Sequence, residues 1–260
     1  MIWNFNPILL EAGPLHIYYY GVCFALGLAL TYGLTKRHLK EKQLPVETLD
    51  DLTVFVVIGL ILGARLGHVF FYEWDFYREH LAQIPLIWKG GLSSHGGILG
   101  TLAGFGFYFW RNPSKNWRSY ADSIAVSSPL MIVFIRLGNF FNSEILGRPT
   151  DMPWGVTFER IDSISRHPSQ LYEMTLGLAL LALLTWAWNK GENKRQAGFF
   201  TGLFFLLYGT GRFILEYFKD LALHPDLGLT TGQLLSLPLI VGGAWIVWWC
   251  LERESNPHSR

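Results

Sequence analysis

The sequence predicts an all-α integral membrane protein with seven transmembrane helices, and three observations carry that reading. Half of the 260 residues are hydrophobic and 16% are charged, with a mean hydropathy of +0.25, which is more apolar surface than one soluble core needs. Apolar runs of bilayer-crossing length recur near 16–35, 52–72, 94–110, 121–141, 170–189, 197–218 and 232–251. Basic residues crowd onto alternate connections. Lys36, Arg37, Lys40, Lys42, Arg111, Lys115, Arg118, Lys190, Lys194, Arg195, Arg253 and Arg260 fall on one side, against Arg78, Lys89, Arg148, Arg160, Arg166 and Lys219 on the other. Positive-inside reasoning therefore puts the N-terminus outside and the C-terminus in the cytoplasm.

The first run has no basic segment before it and no small-residue cleavage site, so the first span is expected to stay. In the second, Gly59, Gly63 and Gly67 recur at four-residue spacing, as do Gly96, Gly100 and Gly104 in the third. Such small-residue faces allow close helix approach, so both spans are expected to pack tightly against neighbours. Between them, about 73–93, Trp74, Phe76, Tyr77, Leu81 and Trp88 mix with charges, as suits a helix lying in the membrane interface. The connection 142–169 is long and irregular, with Pro149, Pro153, Gly155 and Pro168, and Trp154 and Phe158 favour a folded outer loop. The whole chain, 1–260, is read as one membrane domain with outer-face elaborations.

A net charge of +1 argues against nucleic acid as a partner. Cys23 and Cys250 sit in apolar runs without metal or redox spacing and read as packing residues. No pattern suggests a metal or a cofactor.

With the orientation set, the polar residues inside the spans gather at one level, near the outer leaflet: Tyr20, Arg65, His95, Arg136, Arg212 and Glu216, with Gln170, Tyr172 and Glu173 opening the fifth span. Arg136, Asn139 and Ser143 fall at i, i+3 and i+7, one polar stripe that faces inward. Three arginines stand there against Glu216, with Glu144 and Glu173 at the edge, so Arg65 and Arg136 are expected to lack partners that an anionic ligand from the membrane would supply. Arginine's planar fork suits a phosphate. His95 begins a helix directly before Gly96-Gly97, where open backbone amides and the helix dipole form a phosphate cradle and disfavour the imidazolium, leaving a base.

These residues resemble the signature of the prolipoprotein diacylglyceryl transferase family along nearly the whole chain. The resemblance rests on Tyr18-Tyr19-Tyr20-Gly21, Gly63-Ala64-Arg65-Leu66-Gly67, His95-Gly96-Gly97-Ile98-Leu99-Gly100, Arg136-Leu137-Gly138-Asn139-Phe140-Phe141-Asn142-Ser143-Glu144, Arg166 to Glu173, and Tyr208-Gly209-Thr210-Gly211-Arg212. Ile135 and Ser143 depart from it, standing where the signature commonly has glycine.

The resemblance implies a bacterial inner-membrane enzyme with its site toward the outer leaflet. It would move the diacylglyceryl group of phosphatidylglycerol onto the lipobox cysteine of a preprolipoprotein and release glycerol phosphate. In that chemistry His95 makes the thiolate and Arg136 and Arg212 hold the phosphate. Tyr20, Asn139, Asn142 and Glu144 position the headgroup, Gly96 and Gly97 belong to the cradle, and Arg65 and Glu216 assist. A seven-span anion or lipid transporter using the same arginines is the competing class. Against it, the inner halves of the spans carry almost no polar residues for a path.

Overall fold

The computed structural model describes residues 1–13, 15–191, 195–221, 223 and 228–255. Long helices occupy all seven apolar stretches: α1 (Tyr19–Glu41), α2 (Glu47–Phe71), α4 (Ser94–Arg111), α5 (Trp117–Asn142), α6 (Ser169–Asn189), α7 (Phe199–Leu215) and α8 (Thr231–Ser255), with the single turn α3 at Trp74–Tyr77. Among the described residues, five are long and apolar enough to cross a membrane: α2, α5, α6, α8, and α7 with the turn that continues it to Phe218. Lys194 and Arg260, both used in the orientation argument, lie outside the described residues.

The chain divides into two compact units, Leu39–Trp117 and Met1–His38 with Arg118–Arg260. In the first of these, α2 and α4 run antiparallel with their glycine faces against each other. A Cβ on Gly59 would strike the Gly100 carbonyl oxygen, one on Gly63 the Gly96 carbonyl oxygen, and one on Gly104 the Phe55 carbonyl oxygen. The glycine spacing thus brings two backbones together, and each span is the other's neighbour. The connection between them is not one interfacial helix. It is α3 followed by 3-10 turns at Leu81–Gln83 and Ile87–Lys89, because Pro85 and the positive φ of Gly90 (89°) and Gly91 (76°) interrupt any longer helix.

Among the described residues the larger unit shows two buried clusters. Ala125, Val126, Leu184, Trp188, Phe200 and Phe204 join α5, α6 and α7, while Phe140, Val156 and Phe158 pack the end of α5 against the connection 142–169. Asp122 on α5 fixes the start of α7. Its carboxylate accepts from Gly198 N–H (2.9 Å), Thr201 N–H (2.9 Å) and Thr201 Oγ1 (2.8 Å), an anion on the positive end of a helix. Asp122→Ala is expected to lower stability by at least about 1.5–3 kcal/mol, the worth of a single hydrogen bond to a charged acceptor. Thermal unfolding in detergent measures this, and an unchanged midpoint would contradict it.

Short strands were not foreseen. β1 (Ile2–Trp3) pairs parallel with β4 (Val156–Phe158), which pairs antiparallel with β5 (Ser165–Arg166). β2 (Ile8–Ala12) and β3 (Leu15–Tyr18) pair antiparallel, so 16–18, read as the start of the first span, are strand, and the helix begins at Tyr19. The connection 142–169 is folded, as Trp154 and Phe158 suggested: Phe158 is fully buried, and Trp154 Nε1 donates to Tyr172 Oη at 2.7 Å.

Candidate active site

The last turn of α5 shapes the site. Glu144 N–H donates to the Asn139 carbonyl (2.9 Å) and Ser143 N–H to the Phe140 carbonyl (3.1 Å), a helix-ending motif that requires left-handed backbone at Ser143, whose φ is 56°. The glycine replaced here is therefore one wanted for its conformation. Ser143→Gly is expected to stabilise the protein by about 1 kcal/mol, because a left-handed residue with a Cβ costs roughly 1–2 kcal/mol. A fall in the thermal midpoint of that variant would contradict it. Ile135, the other departure, lies mid-helix, where its conformation asks for no glycine.

The motif turns Glu144 back onto the helix. Asn139 Nδ2 donates to Glu144 Oε2 (3.0 Å), Asn142 Nδ2 to Glu144 Oε1 (3.0 Å), and Gln170 Nε2 on α6 to the Glu144 carbonyl (2.5 Å). One turn earlier, Arg136 Nη1 donates to Asn139 Oδ1 (3.2 Å).

Arg136 is not the unpartnered cation that the charge count expected. Its Nε lies 2.7 Å from Glu173 Oε2, a contact of charges and not an aligned hydrogen bond. The other oxygen of Glu173 lies 2.7 Å from Lys219 Nζ, and that ammonium also pairs with Glu216 Oε2 at 2.7 Å. Lys219, read as an outer-loop charge, is 3% exposed, and Glu173 and Glu216 are 2% and 1% exposed. Glu216 opens the 3-10 turn after α7, beyond the helix proper, and takes Lys219 as its partner in place of Arg212. Arg212, half-buried, makes no close ion pair among the described residues: it donates a long hydrogen bond to Tyr208 Oη (3.4 Å) and feels the charges of Glu173 and Glu216 at longer range. The chain Arg136, Glu173, Lys219, Glu216 balances itself, and Arg212 is the cation left over.

Tyr20 joins this group from α1. A Cβ on Gly138 would come within 2.8 Å of its ring, so the glycine in the α5 signature is what lets Tyr20 pack directly against the helix. Its hydroxyl is near enough to interact electrostatically with both Glu144 and Arg136. An open groove of about 520 Å³ runs beside it, lined by His16, Ile17, Tyr18, Tyr20, Gly21 and Asn142. Outside the spans, Arg166 pairs with Asp162 and Asp220 (both 2.6 Å), and it holds the Asp162 carboxyl below the usual carboxylate range.

The remaining candidates lie in the unit Leu39–Trp117. His95 is exposed, without a side-chain partner among the described residues. Its neighbours are no cradle: Gly96 N–H is taken by Ser93 Oγ (3.2 Å) and Gly97 N–H by the Ser93 carbonyl (2.9 Å). Both glycines are buried against α2, so no ligand reaches those amides. Arg65 is not free either. Four of its five N–H groups go to the carbonyls of Gln83 (2.8 Å), Ile84 (2.7 Å), Gly90 (2.6 Å) and Gly91 (2.9 Å), and its guanidinium lies over the Tyr77 ring at 5.0 Å. Its place is to pin the connection between α2 and α4. Among the described residues no three His, Cys, Asp or Glu side chains gather as a metal site would need.

The profile of the prolipoprotein diacylglyceryl transferase family matches residues 7–249. The chain belongs to that family. It is 42% identical to the phosphatidylglycerol–prolipoprotein diacylglyceryl transferase of Tolumonas auensis over 94% of this chain and 95% of that protein. The enzymes of the same name from Chloroherpeton thalassium and Nitrosomonas europaea are 40% and 39% identical, over 95% and 98% of this chain and 93% and 94% of those proteins.

For a prolipoprotein diacylglyceryl transferase, the grouping of the motifs is the informative result. Those of α5, α6 and α7 meet in one ionic cluster, joined by Tyr20 from α1. Sequence reasoning missed Lys219 and placed Glu173 only at the edge. The one available signal was that Glu216 and Lys219 are three residues apart, close enough to pair on one turn.

Proposed function

We propose that this chain transfers the diacylglyceryl group of phosphatidylglycerol to the lipobox cysteine thiol of a preprolipoprotein, with its phosphate held at Arg136 and Arg212. Arg212 is the observation that carries the reading: a half-buried guanidinium with no carboxylate of its own, beside a cluster that is otherwise paired. The thiolate attacks the glyceryl carbon, the carbon–sulfur bond forms, and the carbon–oxygen bond to phosphate breaks. The electron pair stays on the departing glycerol phosphate. Arg212, with its donors largely unspent, meets the charge that grows on that oxygen. Arg136, clamped by Glu173 and Asn139, presents its remaining donors in a fixed direction. Tyr20, Asn139, Asn142 and Glu144 position the headgroup. His95 takes the thiol proton, since a thiol pKa near 8.5 leaves little thiolate at neutral pH.

Incubation of the purified protein with phosphatidylglycerol and a lipobox peptide tests this by mass spectrometry. The peptide is expected to gain one diacylglyceryl group at cysteine. An unmodified peptide beside folded protein would refute the reading, whereas flux of an anion into vesicles would support the transporter.

All seven long helices cross the bilayer in this reading, in a bacterial inner membrane, with the N-terminus and the site toward the outer leaflet. A cysteine introduced at Thr150 is expected to react with an impermeant reagent from outside, and one at Lys40 only after the inner face is exposed. Reversed labelling would overturn the orientation.

A further inference from the structure

Among the described residues, half-buried Arg212 and the buried charges of the ionic chain amount to one net positive: Arg136, Arg212 and Lys219 against Glu173 and Glu216. The two ends of the proposed reaction differ in the charge they bring to that place. The phosphodiester of phosphatidylglycerol carries one negative charge at any physiological pH. The phosphomonoester that leaves carries two once its second ionisation, near pH 6, is complete.

We infer that the Lys219 bridge between Glu173 and Glu216 makes this site selective for singly charged phosphodiesters over doubly charged phosphomonoesters, so that the second ionisation of the product drives its release. The inference rests on the placement of the phosphate at Arg136 and Arg212. A buried charge without a counterion is strongly disfavoured, and rejection by an unmatched charge is an effective form of specificity. With the diester bound, every charge in the cluster has a partner. The dianion would leave one unmatched.

The surrounding groups do not supply the missing positive charge. Glu144, exposed at the rim and held by Asn139 and Asn142, adds a negative charge. Arg148, partly buried with its Nε on the Lys219 carbonyl, carries one positive charge that the negative charge of Glu144 offsets, and Arg166 is neutralised by Asp162 and Asp220. Tyr208 Oη takes the long hydrogen bond of Arg212 (3.4 Å), and His167 Nδ1 is engaged with Tyr172 Oη at 2.9 Å. Lys219 thus sets the charge of the site without needing to touch the substrate.

The test is displacement of radiolabelled short-chain phosphatidylglycerol from the purified full-length protein, which needs no turnover. Glycerol phosphate and the soluble diester glycerophosphoglycerol are compared as competitors from pH 5 to 7.5. Over that range the monoanionic fraction of the monoester falls from about 90% to about 3%, so the ratio of monoester to diester inhibition constants is expected to rise roughly thirtyfold. Dividing by the diester cancels titration of the protein's own histidines. A flat ratio overturns the inference. Glu216→Gln, which adds one net positive charge, is expected to flatten the rise. If that variant does not fold, the parent's profile decides alone. Failure of the diester to compete, or inhibition constants unmoved by Arg212→Ala, would instead remove the phosphate assignment itself, and the inference with it.

Discussion

His95→Ala is expected to slow transfer by about 10²- to 10⁴-fold at neutral pH, the range that a general base contributes, and to recover part of that loss as pH rises through roughly 8.5. Above that pH the substrate thiol ionises unaided. Arg136→Ala and Arg212→Ala are expected to be slow at every pH, because hydroxide supplies no counterion to a phosphate in a water-poor pocket. The two arginine variants should also differ from each other. Loss of Arg136 removes a 2.7 Å partner of Glu173 and is expected to lower the thermal midpoint, whereas Arg212 makes no close ion pair among the described residues and its loss should fall on rate. Initial rates against pH, normalised to the parent and paired with melting curves, give the answer. A flat normalised profile for His95→Ala removes it as the base, and parallel recovery of the arginine variants removes the division of roles.

Gly63→Leu is expected to be among the most destabilising single changes in the unit Leu39–Trp117. Its Cβ would meet the carbonyl oxygen of Gly96 and, at 2.7 Å, the Cα of Gly100, and backbone cannot step aside as a side-chain tip can. Overpacking in close-packed interiors costs about 1–3 kcal/mol, and a contact with backbone lies at or above the top of that range. Gly106→Leu on α4 is the control, since nothing lies within 4 Å of a Cβ there. Equal melting curves for the two variants would contradict the packing account.

Much of this architecture was legible before any coordinates. Bilayer-length apolar runs locate helices to within a few residues, and four-residue glycine spacing announces close backbone approach, although not which helix approaches. Arg136, Arg212 and Tyr20 were legible because a charge or phenol in an apolar run needs a reason. Other features had weak signals or none. Lys219 looks like any loop lysine, since burial of a charge depends on partners brought from distant helices. Arg65 is satisfied by four carbonyls, and carbonyls leave no trace in a residue pattern. Strands of two to five residues are too short for a period to register. Ser143 was visible as a departure, yet its meaning needed the value of φ.

The ionic chain also bears on the order in which the protein is made. Arg136 lies on α5, Glu173 on α6, and Lys219 and Glu216 follow α7, so each helix emerges from the ribosome before the next charge's counterion exists. A lone arginine costs roughly 2.5–3.5 kcal/mol at a helix centre on insertion scales, and an unpaired charge toward the outer leaflet a smaller penalty of the same sign. Nascent α5 therefore has reason to linger at the insertion machinery until α6 arrives, and α6 until the turn beyond α7 has been synthesised. A chain truncated after residue 190 should leave Glu173 without its lysine and be degraded, whereas one truncated within α8 retains the complete set of charges.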